Sequence, residues 1–150
     1  MASIQRREGR IRLTIDHDEQ MAIYTIIQHL TRKLGKSWEP PSGAYTDPEL
    51  QEEYDKWVTP ALVATRAAEI EHIATIFAQS TPPIELTDDD AFMFIRVLNI
   101  LRHVAAAEMG VTDESWSMDD TLEKKHESEY RMLMVLGWIE EEIVNALESW

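Results

Sequence analysis

Two Glu-x-x-His pairs are the residues of this sequence whose types and spacing best suit metal chemistry: Glu69 with His72, and Glu123 with His126. In di-metal helical bundles, two such pairs on facing helices join two further glutamates to bind iron or manganese. Such ligands must project into the bundle. Successive helix residues are separated by about 100°, so His72 falls roughly 140° from the apolar face of its own helix. We therefore interpret both pairs as exposed charged faces, and keep a bundle metal site as the less favoured alternative.

Other catalytic chemistry finds little support among the motifs of the sequence. The chain contains no cysteine, which excludes thiol catalysis and zinc sites ligated by cysteine. It also lacks the G-x-S-x-G elbow, a glycine-rich phosphate loop and the H-E-x-x-H zinc helix. His103 is a candidate general base, but we interpret it as a hydrogen-bond partner between helices. We therefore predict that the protein is not an enzyme and has no cofactor.

The charge of the chain is unevenly distributed. The formal net charge is −14, yet residues 1–36 contain seven of the 14 Lys and Arg residues and only four of the 28 Asp and Glu residues. Because an acidic body repels phosphate backbones, DNA contact is expected only through this basic segment. Alternatively, its charges protect the exposed edge of a β-hairpin from aggregation. The candidate basic patch consists of Arg6, Arg7, Arg10 and Arg12.

Four aromatic residues lie close together in the sequence between positions 36 and 58. Tryptophan and tyrosine are preferred anchors of protein interfaces, so this group is a candidate surface for a protein partner. The alternative is that the four side chains cover the core of a helical bundle. They are Trp38, Tyr45, Tyr54 and Trp57.

Alternating apolar and polar residues at the N-terminus indicate β-strands. Ile11, Leu13 and Ile15 alternate with polar residues, and Glu8-Gly9 predicts a turn before them. The pattern predicts a small hairpin made of residues 3–7 and 10–15.

Helical periodicity and capping residues dominate the rest of the chain. Asp47-Pro48 and Thr59-Pro60 each resemble a helix start, with an N-cap followed by a first-turn proline. Thr87 with Asp90 predicts a capping box. The expected fold is a mainly α single domain, residues 1–150, with a β-hairpin in 1–16 and a bundle of about five helices in 17–148. The predicted helices cover residues 18–35, 48–58, 60–79, 88–110 and about 117–148.

The helix predicted near residues 88–110 is apolar on nearly every side, so the domain should pack around it. A long cationic side chain in such a helix must reach solvent or meet a carboxylate. We predict that Asn99 and Arg102 form a structural polar brace in the core. The candidate carboxylate partners of Arg102 are Glu53, Glu69 and Glu142.

Three stretches of the sequence resemble segments of an actinobacterial family of AosR-type oxidative-stress regulators. This family was first catalogued as a domain of unknown function. AYTDPELQEEYDKW (Ala44–Trp57) is similar to a Tyr-x-Asp-Pro-Glu segment of the family. LNILRHVAAAEMGVTDE (Leu98–Glu114) resembles its Leu-Asn-x-Leu-Arg helix with a Gly-Val-Thr exit, and YRMLMVLGWIEEEIVNAL (Tyr130–Leu147) resembles its closing amphipathic helix.

The resemblance implies a regulator of transcription under oxidative stress that acts through a protein partner such as a σ factor. A contact with DNA through the N-terminal basic segment is the alternative, and a homodimer is left open. Because the chain has no cysteine, a thiol–disulfide switch of its own is excluded. With neither a secretory signal nor an apolar run long enough to cross a bilayer, we expect a cytoplasmic protein that does not bind membranes.

Overall fold

The computed structural model describes residues 2–34, 47–110 and 126–148, except for the side chains of residues 54, 55, 58 and 59. It confirms the mainly helical class with a small N-terminal β-hairpin. In chain order the described elements are β1 (Ser3–Arg7), β2 (Arg10–Thr14), α1 (His17–Leu34), α2 (Pro48–Gln79), β3 (Ile84–Leu86), α3 (Asp88–Glu108) and α4 (Glu127–Glu148).

A two-residue turn closes the hairpin as expected. Glu8 and Gly9 both have positive φ, 53° and 78°, the conformation that a two-residue turn needs to match the twist of its strands. Strands β1 and β2 pair in antiparallel fashion, with Arg7 opposite Arg10. A third strand, β3, was not predicted; it pairs with β2 so that Ile11 lies opposite Leu86.

Helix α3 is the centre of the core and contacts α1, α2, α4 and the sheet. The ring of Phe94 in α3 packs at 5.2 Å from that of Phe77 in α2, and both side chains are fully buried. The predicted apolar stripes of the flanking helices face this centre. They include Ile23, Ile27 and Leu30 in α1 and Leu133, Leu136, Ile139 and Ile143 in α4.

Side-chain caps fix the starts of the helices. Thr87 accepts a hydrogen bond from the backbone N–H of Asp90 at 3.1 Å, which confirms the predicted cap of α3. Asp16 accepts one from Glu19 N–H at 2.8 Å ahead of α1, and this bond holds the pKa of Asp16 below its ordinary value. Asp47 caps α2 in the same way, with Pro48 in the first turn.

The predicted break at Thr59-Pro60 is wrong, because α2 continues as one helix of 32 residues through Pro60. Proline fixes φ near the helical value, so it fits the helix while removing one backbone hydrogen bond. A first-turn proline and an interior proline therefore have the same sequence signature, and the pattern alone does not separate them.

Replacing Pro60 with alanine should strengthen α2. The variant restores the N–H that proline lacks, and an interior proline costs a helix about 3 kcal/mol relative to alanine. We expect slower amide hydrogen exchange in residues 52–64, measured by mass spectrometry. Ala64→Gly, an exposed position of the same helix, is the matched control and should accelerate exchange. Unchanged exchange in Pro60→Ala would show that a helix break at this position already exists in solution.

Candidate functional site

Helix α2 consists of two halves with different surroundings. Its C-terminal half buries Ile70, Ile73, Ala74 and Phe77 in the core. Residues 48–64, which we name the α2 arm, contain no buried residue among the side chains that the structure describes. At 1.5 Å per residue the arm is about 25 Å long. A helix of this length gains most of its stability in proteins from packing, so an uncovered arm is a candidate surface for a partner.

An apolar stripe runs along the arm. Leu50, Trp57, Ala61 and Ala64 recur at helical spacing on one face, and all four are exposed. By helical rotation this face is roughly 180° from that of Ile70–Phe77, which enters the core. The stripe is therefore turned away from the domain. With Trp57 66% exposed and Leu50 51% exposed, two large apolar side chains lie in solvent there.

Trp57 is held by its own helix. Its indole N–H donates a hydrogen bond to Glu53 Oε2 at 3.1 Å, and Lys56 Nζ lies 5.1 Å from the ring centroid. These local contacts orient the indole without burying it. Of the other predicted surface residues, Tyr54 lies in α2 without a described side chain, and Trp38 and Tyr45 lie outside the described residues.

The predicted basic patch is not a single exposed unit. The guanidinium of Arg6 donates to the carbonyl oxygens of Ala146 at 3.3 Å and Leu147 at 3.2 Å, and pairs with Asp88 at 3.2 Å. The last carbonyls of a helix lack partners inside the helix and favour cations, so Arg6 joins the sheet to the end of α4.

The other three arginines of the patch differ in their contacts. Arg12 forms an ion pair with Glu85 of β3 at 2.8 Å, across the β2–β3 pairing. Arg7 and Arg10 flank the turn and are exposed, and Arg7 donates to Gln5 at 3.3 Å. DNA contact by this segment stays a prediction, and it would depend mainly on Arg7 and Arg10.

Arg102 joins α3 to α4, but the predicted brace needs two corrections. Its Nη1 donates to Glu140 at 2.6 Å, so the partner is none of the predicted carboxylates. Asn99 is exposed and takes no part in a buried brace. The guanidinium lies over Gly137, where an added Cβ would be 3.7–3.8 Å from it. Gly137 and Glu140 are three residues apart and share one face of α4. A small residue and a carboxylate at this spacing are the sequence signal for a site that accepts Arg102.

His103 is also exposed in α3, so the prediction that it links two helices is wrong. It lies on the same open side of α3 as Asn99, one helical turn further along.

Glu69 is the most buried carboxylate among the described residues, at 7% exposure. The prediction that the Glu69–His72 pair lies on an exposed charged face is therefore wrong for Glu69. Arg66 donates to Oε1, and Arg96 of α3 donates to Oε2, with Arg96 Nε at 3.0 Å. Burial alone raises the pKa of Glu69, but the bonds and charges of the two arginines outweigh it and lower the pKa below its ordinary value.

The Glu69–His72 pair does not converge on one point. His72 Nε2 lies 3.1 Å from Asp90 Oδ1, while the Glu69 oxygens face arginines. Within residues 2–34, 47–110 and 126–148 there is no group of three or more His, Asp or Glu placed to hold a metal ion. Glu123 of the second pair lies outside this part of the chain, and His126 precedes α4. None of the described helices is both long and apolar enough to cross a bilayer.

The comparisons with known proteins identify one family, and its function is unknown. A family described as "Domain of unknown function (DUF2017)" matches residues 1–147. No curated protein and no solved structure matches the chain significantly.

The Glu69 cluster should make stability depend on pH. Because the folded pKa of Glu69 is lowered, its contribution is complete above the unfolded glutamate pKa of about 4.3 and disappears as the pH falls through the folded value. Glu69→Gln should lower the free energy of unfolding at pH 7 by about 1–3 kcal/mol, and by less near pH 3, which lies below the unfolded pKa. Urea unfolding at both pH values measures this difference.

Glu71→Gln is the matched control, because Glu71 is an exposed carboxylate two residues away in the same helix. We expect its free energy of unfolding to stay close to that of the unmodified protein. An equal loss in both variants, or a loss at Glu69 that does not depend on pH, would contradict a paired, buried carboxylate.

Proposed function

Because the chain belongs to the DUF2017 family, whose function is unknown, we propose a function from its surfaces: a non-enzymatic module that binds a protein partner through the α2 arm. The observation that supports this proposal most is the exposed apolar stripe of Leu50, Trp57, Ala61 and Ala64, on the face of α2 opposite to the core. An exposed indole beside small side chains is suited to anchor a helix or groove of another protein.

The charge of the arm indicates the chemistry of this partner. Besides Lys56 its charged residues are four carboxylates, Glu49, Glu52, Glu53 and Asp55. Together with the net charge of −14, they favour a partner whose binding site is apolar with a basic rim. The electrostatic contribution would mainly raise the association rate, while Trp57 would determine how slowly the complex dissociates.

A more specific form of the proposal is a regulator of the AosR type, acting on transcription in the oxidative-stress response through a σ factor or another transcription component. Its support is the resemblance of three segments, whose described residues lie mostly in the first half of the arm, the second half of α3, and α4. Since the sequence has no cysteine, oxidation would have to be sensed by a partner or by another chemistry, such as methionine oxidation.

The test is a quantitative capture experiment. The tagged full-length protein is incubated with lysate of its own host at low salt, and bound proteins are measured by mass spectrometry. We expect a σ factor or polymerase subunit to be enriched, and Trp57→Ala to reduce that enrichment about tenfold or more, because a buried tryptophan anchor is worth at least 1.4 kcal/mol.

Trp138→Ala is the matched control, because Trp138 is an exposed tryptophan of α4 outside the arm. This variant should retain the transcription component. Failure to recover such a component would contradict the regulator proposal, and equal recovery by Trp57→Ala would contradict the arm as its surface.

A further inference from the structure

Helix α4 has a second apolar surface, on the side opposite to the core. Met134, Val135 and Trp138 are 49%, 37% and 41% exposed, while Leu136 and Ile143 of the same helix are fully buried. This surface is separate from the α2 arm, because α4 packs against α3 and the sheet. These three large apolar side chains lie within one and a half turns of each other on the exposed surface of α4.

The residues around this patch follow a regular spacing. Ser128, Arg131, Val135, Trp138, Glu142 and Asn145 are separated by alternating steps of three and four, the spacing of a line along which two helices pack. We name these six residues the α4 seam. Each is exposed or half-exposed. The seam therefore has the geometry of a helix–helix contact, although no other helix of the described chain covers it.

The order of side chains along the seam is symmetric about its midpoint between Leu136 and Gly137. From the centre outwards, Val135 corresponds to Trp138, Arg131 to Glu142, and Ser128 to Asn145. When an identical helix is placed against it in the antiparallel direction, each residue faces its counterpart. Apolar side chains then meet at the centre, arginine meets glutamate on both sides, and polar side chains meet at the ends.

We propose that two copies of this chain form a homodimer through antiparallel packing of their α4 seams. A two-fold axis would pass near Leu136 and Gly137, and each Arg131 would pair with Glu142 of the second copy. Arg131 now pairs with Glu127 in its own helix at 2.6 Å, with both side chains more than 60% exposed. An ion pair this exposed contributes little to stability. Arg131 can therefore leave Glu127 and pair with Glu142 of the second copy at little cost in free energy.

A groove beside the seam provides room for the largest side chain of the contact. It lies between α1 and α4, has a volume of about 530 Å³, and is lined by Ile26, Glu127, Ser128, Arg131, Met132 and Val135. In the antiparallel arrangement Trp138 of the second copy lies opposite Val135, next to this groove. Its indole can therefore be buried against Ile26 and Met132, which gives the contact a central aromatic anchor.

The charge pattern favours a second copy at this seam over the arm. Four of the five charged residues of the arm are carboxylates, so two arms brought together would repel each other. The six seam residues instead carry one positive and one negative charge at symmetric positions, and the five other carboxylates of α4 lie outside the seam. This inference does not depend on the proposed function, because the two surfaces lie on different helices.

Sedimentation equilibrium on the full-length chain tests the dimer. We expect a concentration-dependent monomer–dimer equilibrium, and at least about tenfold weaker association for Trp138→Ala. Arg131→Glu and Glu142→Arg should each weaken association, because each places like charges opposite one another. The double variant Arg131→Glu with Glu142→Arg should restore it, since the pair is regained with its charges exchanged.

Trp57→Ala on the arm is the matched control and should dimerise like the unmodified chain, and circular dichroism verifies that each variant is folded. A monomer at concentrations up to about 100 µM, corresponding to association weaker than about 5.5 kcal/mol, would overturn the proposal. Loss of the dimer in Trp57→Ala but not in Trp138→Ala would also overturn it and transfer the interface to the arm. Failure of the double variant to recover would disprove the antiparallel arrangement.

Discussion

The burial of α3 is the constraint on which the rest of this structure depends. A helix with apolar residues on most of its circumference is stable in water only when other elements surround it. Helices α1, α2 and α4 and the sheet supply this cover, and the fully buried side chains of Phe94, Val97, Leu98 and Leu101 lie where they meet. The remaining open side of α3 carries Phe92, Arg96, Asn99 and His103.

Two ion pairs flank this open side and fix the helices next to it. Arg96 reaches Glu69 of α2, and Arg102 reaches Glu140 of α4. Both carboxylates are largely buried while both arginines keep contact with solvent, an arrangement in which the arginine stem covers apolar surface and its charge stays hydrated. Arg6 joins the sheet to the last carbonyls of α4 in a similar way. Because the flanking helices each bury one face only, α2 and α4 retain outward faces.

Local patterns were sufficient to predict the elements whose stability is local. The Glu8-Gly9 turn, the Thr87 cap and the stripe of Leu133, Leu136, Ile139 and Ile143 all follow from spacing along the chain. The three-residue strand β3 was missed because its only strong signal is its pairing with β2, which lies about 70 residues earlier. Strand pairing at such a separation is a tertiary property and leaves little trace in a short window.

The candidate site was harder to predict, for two physical reasons. Glu69 occupies the side of α2 that faces α3, and only the position of Arg96 in a different helix makes its burial favourable. Helix α2 continues through Pro60 when the helical hydrogen bonds on either side of the proline outweigh the one backbone hydrogen bond that it removes. The residue type at position 60 does not reveal that balance. Trp57 was identified by its residue type, but its exposure follows from the opposite orientations of the two apolar faces of α2.

Electrostatics separates the two outward faces in their response to salt. Two copies of a chain with a net charge of −14 repel each other when their surfaces come within about one Debye length, roughly 10 Å at 0.1 M salt, and exposed pairs such as Arg131–Glu142 offset little of that repulsion. Added salt therefore favours contact between α4 seams, which depends on apolar burial. Added salt weakens the binding of a basic partner to the acidic α2 arm, because it screens the electrostatic attraction between them. We therefore expect added salt to strengthen the proposed self-association and to weaken the proposed binding of a basic partner.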